Sequence, residues 1–243
     1  MNPEIYRDMA RDHHVHWWFV GRRKVLISLI RRLGLPKDAR ILEIGCGTGG
    51  NLAALAELGE LSAMESDAEA CEWASGLGIC PVLPGALPEA VPYPDGQFDL
   101  VCLLDVIEHI EEEQAALQRV QRLLKPGGRV LITAPAYRWL WSEHDVVHHH
   151  FRRYRASELA EKMGGSGLRV LRSGYFNTLL FPLVLMVRFL KGLGMMRGGS
   201  DADLSGPMVN RLLATIFSAE RELLPFVRLP FGVSVVAVGE RVD

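Results

Sequence analysis

The chain has 243 residues, 49% of them apolar, and a formal net charge of −2. This length predicts one globular domain with a substantial core, and the near-neutral charge argues against a bulk nucleic-acid binder, which needs a basic field. The four cysteines lack paired C-x-x-C spacing and no secretory leader is visible, so we expect a cytoplasmic protein, with the inner membrane surface as an alternative location. No apolar run has the length needed to cross a bilayer.

Helices and strands alternate in the first part of the chain. Residues 17–33 have helical apolar spacing with a basic face that includes Arg22, and they end at Gly34 before Pro36, which predicts an N-terminal helical cap. Such alternation implies right-handed crossovers and a parallel sheet with helices on both faces. The predicted strands are 40–44, 61–65, 79–83, 98–104 and 129–134, and the predicted helices between them are 48–58, 68–75 and 111–124.

The pattern changes after residue 134. A loop is predicted over 135–155, followed by a helix over 156–163, a strand over 168–175 and a last strand over 231–239. The long stretch between these two strands is apolar, with helices at 175–190 and 207–224 joined by a Gly-rich loop at 192–206, and we interpret it as a lid or a partner surface. The single domain therefore divides into a cap (1–36), a core (37–175), an insertion (176–230) and a final strand (231–243).

Residues 41–50, ILEIGCGTGG, form a β-like run that breaks into glycines and then opens a helix. Glycines there allow a tight turn and a close approach of the main chain to a ligand at a helix N-terminus. The spacing of Gly45, Gly47 and Gly50 also fits the G-x-G-x-x-G motif of dinucleotide enzymes, so the glycines alone leave two cofactor classes open. Glu43 favours one of them, because its carboxylate would repel a pyrophosphate and attract a cationic group.

The stretch from Glu43 to Gly49 resembles the E-x-G-x-G-x-G motif of the class I S-adenosylmethionine (SAM)-dependent methyltransferases. Residues 93–99, YPDGQFD, residues 105–109, DVIEH, and the turn KPGG at 125–128 resemble further signatures of small-molecule members of that family. The resemblance implies an α/β, Rossmann-like, seven-stranded and mostly parallel sheet with the last strand antiparallel. The N-terminal helical cap and the helical insertion before the last strand are predicted from the residues themselves, and the family needs only a hairpin where this chain has the insertion. It also implies SAM as cofactor and S-adenosylhomocysteine (SAH) as product.

The resemblance places the cofactor at the carboxyl ends of the strands. Glu65 is expected to hold the ribose hydroxyls, and Asp105 is expected near the methionine part of SAM. The acidic residue that often follows the third strand in the family is missing, so adenine would meet the backbone near Ala86 and Leu87. For Glu108 and His109, capping of a helix is an equally open role. The expected cofactor-binding residues are Glu43, Gly45, Cys46, Gly47, Gly49, Asn51, Glu65, Ser66, Ala86, Leu87, Leu104, Asp105 and His109.

Methyl transfer from a sulfonium needs an aligned acceptor, and it needs a base only if the acceptor carries a proton. Residues 142–154 contain the densest group of candidate bases, and their H-D-x4-H-x-R-R-Y pattern resembles a bacterial branch of these enzymes that is associated with glycan or secondary-metabolite biosynthesis. His144 is the leading base with Asp145 as its orienting partner, and His150 is the second candidate. The alternative is a buried polar network that locks the loop. Its members would be His150, Arg152, Arg153 and Tyr154.

Aromatic residues are expected to border the acceptor pocket, although a cluster such as Trp17-Trp18-Phe19 more often packs in the core under an N-terminal cap. No metal is expected, because consecutive histidines do not easily converge on one ion. The expected pocket residues are Trp17, Trp18, Tyr137, Tyr154, Tyr175 and Asn177.

The favoured function is methyl transfer to a small-molecule or lipid- or glycan-linked acceptor, at oxygen and with a histidine base, and carbon and nitrogen stay open as acceptor atoms. Two alternatives stay open. One is a SAM-fold protein that binds SAM or SAH for a non-methylating reaction or as a binding module. The other is a peripheral membrane enzyme whose inserted helices contact a bilayer. The same apolar helices would otherwise form a homodimer interface, and no nucleic acid is expected as a partner.

Overall fold

The computed structural model describes residues 10–192 and 206–242. Its strands form a seven-stranded sheet in the order β3-β2-β1-β4-β5-β7-β6. The strands are β1 (Arg40–Ile44), β2 (Glu60–Glu65), β3 (Val82–Pro84), β4 (Phe98–Leu104), β5 (Leu124–Pro135), β6 (Leu168–Phe176) and β7 (Ser234–Arg241). The helices are α1 (Trp17–Ile30), α2 (Leu52–Ala56), α3 (Ala68–Gly76), α4 (Glu113–Leu123), α5 (Glu143–Val147), α6 (Ala156–Gly165), α7 (Phe181–Gly192) and α8 (Pro207–Ala219).

The first five strands pair in parallel, and β7 runs antiparallel to both β5 and β6. This topology confirms the predicted α/β sheet with an antiparallel last strand. The strand order reverses between β1 and β4, and in open α/β sheets ligands bind at the carboxyl ends of the strands on either side of such a switch point. The fold therefore locates the candidate site at the ends of β1, β2 and β4.

Helices cover both faces of the sheet. Side chains alternate along β1, so Ile41 faces one hydrophobic cluster while Leu42 and Ile44 face the other. The first cluster is covered by α1, α2 and α8, and the second is covered by α4 and α6. This two-layer burial explains why the central strands read as nearly continuous apolar runs.

The insertion helix α8 packs directly against the cap helix α1. A Cβ on Gly21 would lie 2.5 Å from Cδ1 of Phe217, so a glycine is required where the two helices cross. The Trp17 backbone N–H also donates to Oδ1 of Asn210 at 2.7 Å. Thus one face of α8 completes the core layer begun by α1, while Met208 and Leu212 on the same helix stay exposed. The lid or partner surface expected for the insertion stays a prediction. The Gly-rich loop predicted at 192–206 lies outside the described residues except at its two ends.

Several predicted boundaries differ from the structure. Helix α2 begins at Leu52 rather than near Thr48, because Gly49 has a φ of 86° that a helix does not accommodate. Strand β5 begins at Leu124 and includes the KPGG stretch, whereas the glycines there were predicted to form a turn before the strand. Within residues 10–192 and 206–242, every helix is too short or too polar to span a bilayer.

Candidate cofactor and acceptor site

The glycine turn connects the end of β1 to α2. Gly45, Gly47 and Gly49 have φ values of 68°, 55° and 86°, a region that other residues rarely adopt. A Cβ on Gly45 would also lie 2.7 Å from Cγ2 of Val106, in the loop after β4. Both the conformation and the close packing therefore require glycine at the start of this turn.

Glu65 ends β2 beside the glycine turn. Its Oε2 accepts a hydrogen bond from the Gly47 backbone N–H at 2.8 Å. Its Oε1 accepts from the backbone N–H groups of Ser66 and Asp67 at 2.8 and 3.0 Å. The carboxylate thus joins the two strand ends at the position where the family resemblance places a ribose.

Glu43 is buried at the end of β1. Its Oε1 accepts from Nδ2 of Asn51 at 2.8 Å, while its buried Oε2 has no hydrogen-bond partner in the part of the chain that the structure describes. Burial raises the pKa of Glu43 to about 7, and the hydrogen bond from Asn51 opposes this shift only in part. A cation placed next to Oε2 would stabilise the ionised carboxylate.

Asp105 follows β4 and has a φ of 59°, which is uncommon outside glycine. Its Oδ2 lies 2.7 Å from Nη2 of Arg22, and its Oδ1 accepts from the Thr133 hydroxyl at 3.2 Å. Arg22 was predicted on the basic face of the cap helix, and its side chain is buried against Asp105 and lies 5.0 Å from the Trp18 ring centroid. The ion pair links the cap to the switch point of the sheet. Its two residues are more than eighty positions apart in the sequence, so no local sequence pattern predicts the contact.

The other expected cofactor residues have different surroundings. Both backbone groups of Ala86 pair with Ala90, at 2.9 Å each, so its N–H is already used and only the carbonyl could accept a further bond. Cys46 is buried, and burial raises the pKa of its thiol above the ordinary value. Leu104 is buried at the end of β4. His109 packs edge-on against His150, with ring centroids 4.6 Å apart, and therefore lies beside the histidine-rich loop.

Asp145 is the centre of the polar network in residues 142–154. It is fully buried, its two carboxylate oxygens accept from Nε and Nη2 of Arg153 at 2.7 and 2.9 Å, and its Oδ1 lies 2.9 Å from Nδ1 of His150. Although burial raises the pKa of Asp145, the hydrogen bonds from His150 and Arg153 outweigh it and hold that pKa well below its usual range. Asp145 therefore orients His150 and not His144, contrary to the expected catalytic pair.

His144 lies on the exposed side of α5, with its ring 4.0 Å from the His148 ring and 5.9 Å from the His150 ring. Burial and the neighbouring His150 lower the pKa of both His109 and His148 to about 4, so these two rings are neutral at neutral pH. The loop thus gathers several neutral imidazoles close to the end of β4.

Glu108 lies under this loop, in the turn after β4. Its side chain is fully buried, and neither carboxylate oxygen has a hydrogen-bond partner among the described residues. Burial raises the pKa of Glu108 well above its ordinary value, and the charge of Asp105 raises it further. Its backbone carbonyl accepts from the Phe151 N–H at 2.9 Å, which holds the histidine-rich loop against the turn. Sequence reasoning left open whether Glu108 caps a helix or contacts substrate, because its lack of a hydrogen-bond partner depends on contacts that the sequence does not show.

The expected pocket residues separate into two groups. Trp17 packs in the core against Phe217, Asn177 is fully buried, and Tyr154 is fully buried with its hydroxyl donating to Oε2 of Glu113 at 2.5 Å. By contrast, Trp18 is half-buried under Arg22, and Tyr137 and Tyr175 are half-buried and stack with ring centroids 5.0 Å apart. The partly open aromatic surface is therefore formed by the second group.

A separate open groove, with a volume of about 1150 Å³, lies beside the histidine-rich loop. Its lining includes Arg138, Trp139, Trp141 and Arg155, and none of the residues of the glycine turn. The groove is therefore distinct from the cofactor crevice, and this arginine- and tryptophan-rich surface was not predicted from the sequence.

The sheet order and the glycine turn beside Glu65 define the Rossmann-like methyltransferase class. Residues 18–173 match the family model described as a methyltransferase domain, so the chain belongs to that family. This match confirms the enzyme class expected from the sequence and supports SAM as its cofactor.

Three known proteins illustrate the similarity. Phosphoethanolamine N-methyltransferase 3 of Arabidopsis thaliana is 35% identical over 112 residues, which are 44% of this chain and 23% of that protein. Malonyl-[acyl-carrier protein] O-methyltransferase of Enterobacter lignolyticus is 29% identical over 184 residues, 71% of each chain. The solved structure of Haemonchus contortus phosphoethanolamine N-methyltransferase 2 with SAH and phosphomonomethylethanolamine has a TM-score of 0.60 and 16% identity, and covers 89% of this chain and 52% of that one. The match to the Arabidopsis enzyme thus spans about a quarter of that protein's length, and the similarity to the Haemonchus structure shows the fold.

Proposed function

We propose that this protein transfers a methyl group from SAM to a small-molecule acceptor, at the crevice between the glycine turn and the histidine-rich loop. The single observation that carries the proposal is the pair of carboxylates at the ends of β1 and β2. Glu65 accepts from the Gly47 N–H beside the glycine turn, and we propose that it binds the ribose diol there; the buried Oε2 of Glu43 lacks a partner among the described residues. SAM carries a diol, an ammonium and a sulfonium, whereas a dinucleotide would bring a pyrophosphate towards the Glu43 carboxylate.

When bound, SAM supplies an electrophilic methyl group and a thioether leaving group. The residues of the chain then bind and align the two reactants, and they exclude water from the site. The Arg22–Asp105 ion pair holds the cap helix over the end of β4, and the Glu108–Phe151 backbone hydrogen bond holds the loop against the same edge. These two contacts would keep the acceptor side of the crevice narrow.

We propose oxygen as the acceptor atom and His144 as the base. His150 is held by Asp145 through Nδ1, whereas His144 lies on the exposed side of α5, where an acceptor could reach it. The similarity to an O-methyltransferase over 71% of the chain also supports oxygen. The base would act without the carboxylate partner expected from the sequence, with the neutral ring of His148 as its neighbour.

Calorimetry and a methyl-transfer assay test these steps separately. SAM and SAH should bind the wild-type protein, and label should pass from methyl-labelled SAM to a fraction of a small-molecule extract. His144→Ala should keep the affinity for SAM but lose most of the turnover, by about 10²–10⁴-fold for a general base. His149→Asn, in the same loop, is the matched control and should transfer label normally. Unchanged turnover in His144→Ala would remove this residue as the base.

A lipid-linked acceptor is the second candidate, because the insertion exposes large apolar side chains. On α7, Phe189 is 67% exposed, and on α8, Met208 is 85% and Leu212 58% exposed. Liposome flotation and light scattering distinguish between a membrane-binding role and a homodimer interface for these exposed apolar side chains. Co-flotation would favour a membrane-linked acceptor, and a dimer that ignores liposomes would favour a homodimer interface.

A further inference from the structure

Three metal-ligating side chains meet under the histidine-rich loop. Glu108 and His109 lie in the turn after β4, and His150 comes from the loop after β5, forty-one residues later. One ligand atom from each residue lies within 4.8 Å of those of the other two. This spacing brings one carboxylate and two imidazoles close enough for small side-chain rotations to direct them at one ion.

The Glu108 carboxylate has no counter-charge of its own. Both of its oxygens are buried without a hydrogen-bond partner in the part of the chain that the structure describes. The two arginines whose charges act on Glu108 are each engaged by another carboxylate, Arg22 by Asp105 at 2.7 Å and Arg153 by Asp145 at 2.7 Å. A buried carboxyl without a partner is costly, and a bound cation would remove that cost.

Each of the two histidine rings already interacts with a neighbouring group that can fix its orientation. Nδ1 of His150 is 2.9 Å from Oδ1 of Asp145, which leaves Nε2 as the free ring nitrogen, and Arg153 holds Asp145 in turn. The His109 ring interacts with the backbone of His148. A histidine that donates one ring N–H to a carboxylate or a carbonyl while offering the other nitrogen is the usual arrangement in metal sites.

We propose that Glu108, His109 and His150 bind a divalent metal ion of the zinc type, with Asp145 as the positioning residue of His150. One carboxylate and two imidazoles are a donor set used at zinc sites that keep an open coordination position. The proposal replaces the expectation of no metal, which considered only the consecutive histidines. The ligands come instead from two segments that the fold brings together. It does not depend on the proposed methyl transfer.

Zinc binding by the full chain tests the proposal without any activity assay. After removal of metals and dialysis against a micromolar zinc buffer, we expect one equivalent of zinc by elemental analysis, with the affinity measured by competition with a chromophoric chelator. Glu108→Gln and His150→Ala should each weaken binding at least tenfold. His149→Asn is the matched control, because His149 is exposed in the same loop and its φ of 54° is one that asparagine tolerates.

Two further measurements distinguish the loss of a metal ligand from the loss of the folded structure. Glu108→Gln keeps the shape of the side chain, and its circular dichroism should match that of the wild type even if His150→Ala is poorly folded. Asp145→Asn should weaken zinc binding by about 10–100-fold, which is the usual effect of removing the hydrogen-bond partner of a metal-binding side chain. The proposal is overturned if the folded wild type takes up no zinc, or if Glu108→Gln and His150→Ala retain it as His149→Asn does.

Discussion

Nη2 of Arg22 in the cap helix lies 2.7 Å from Oδ2 of Asp105 at the end of β4. Arg22 is 5% exposed and also donates from Nη2 to the Thr133 hydroxyl at 3.3 Å. The N-terminal helix is therefore attached to the candidate site by a charge pair between a buried arginine and a half-buried aspartate, and it is not only an apolar cover.

Arg22→Met should destabilise the protein by about 1–3 kcal/mol, because it leaves the half-buried Asp105 carboxylate without its charged partner. Lys24→Met removes an exposed positive charge from the same helix and should change stability by less than about 0.5 kcal/mol. Urea unfolding of the two variants measures the difference. Equal stabilities would show that the pair contributes nothing to holding the cap.

Gly21→Ala should destabilise the protein by about 1–3 kcal/mol, although alanine is the better helix former. The added methyl group would lie 2.5 Å from the Phe217 ring and would push α1 away from α8. Gly164→Ala in α6 is the control, since its new Cβ would meet nothing within 4 Å, and it should stabilise by about 0.5–1 kcal/mol. Thermal unfolding that ranks the two variants in the opposite order would contradict the close crossing of α1 and α8.

The pH dependence of stability should carry a contribution from Glu43. Its pKa in the folded protein is about 7, against an ordinary value of 4.5, so the folded state holds this proton more tightly than the unfolded chain does. The contribution of this shift to the free energy of unfolding is fully present below about pH 4.5 and is lost as the pH rises through 7. The total loss is up to about 3 kcal/mol.

Glu43→Gln cannot ionise, so it should lack this part of the loss. Urea unfolding at pH 5 and pH 8 should therefore show a larger fall for the wild type than for the variant. Parallel pH profiles would show that Glu43 titrates normally in the folded protein.

The alternation of apolar runs and the glycine spacing were enough to predict the parallel sheet and the tight turn from Gly45 to Gly49, because both follow from local periodicity and backbone requirements. The role of Arg22 was missed, since a charged residue on a helix reads as solvated unless its distant partner is known. Likewise, Asp145 was assigned to its sequence neighbour His144, whereas the turn after α5 folds His150 back onto it. Contacts between residues far apart, or across a tight loop, depend on packing that no local spacing encodes.

The most direct test of the account is calorimetric titration of the protein with SAH. The wild type should bind it with a stoichiometry of one, and Glu65→Ala should lose about 1.5–3 kcal/mol of binding free energy, the usual worth of hydrogen bonds to a charged group. Glu60→Ala, at the exposed start of the same strand, should bind as the wild type does. A folded wild-type protein that binds neither SAH nor SAM would contradict the assignment of this site to a methyl donor.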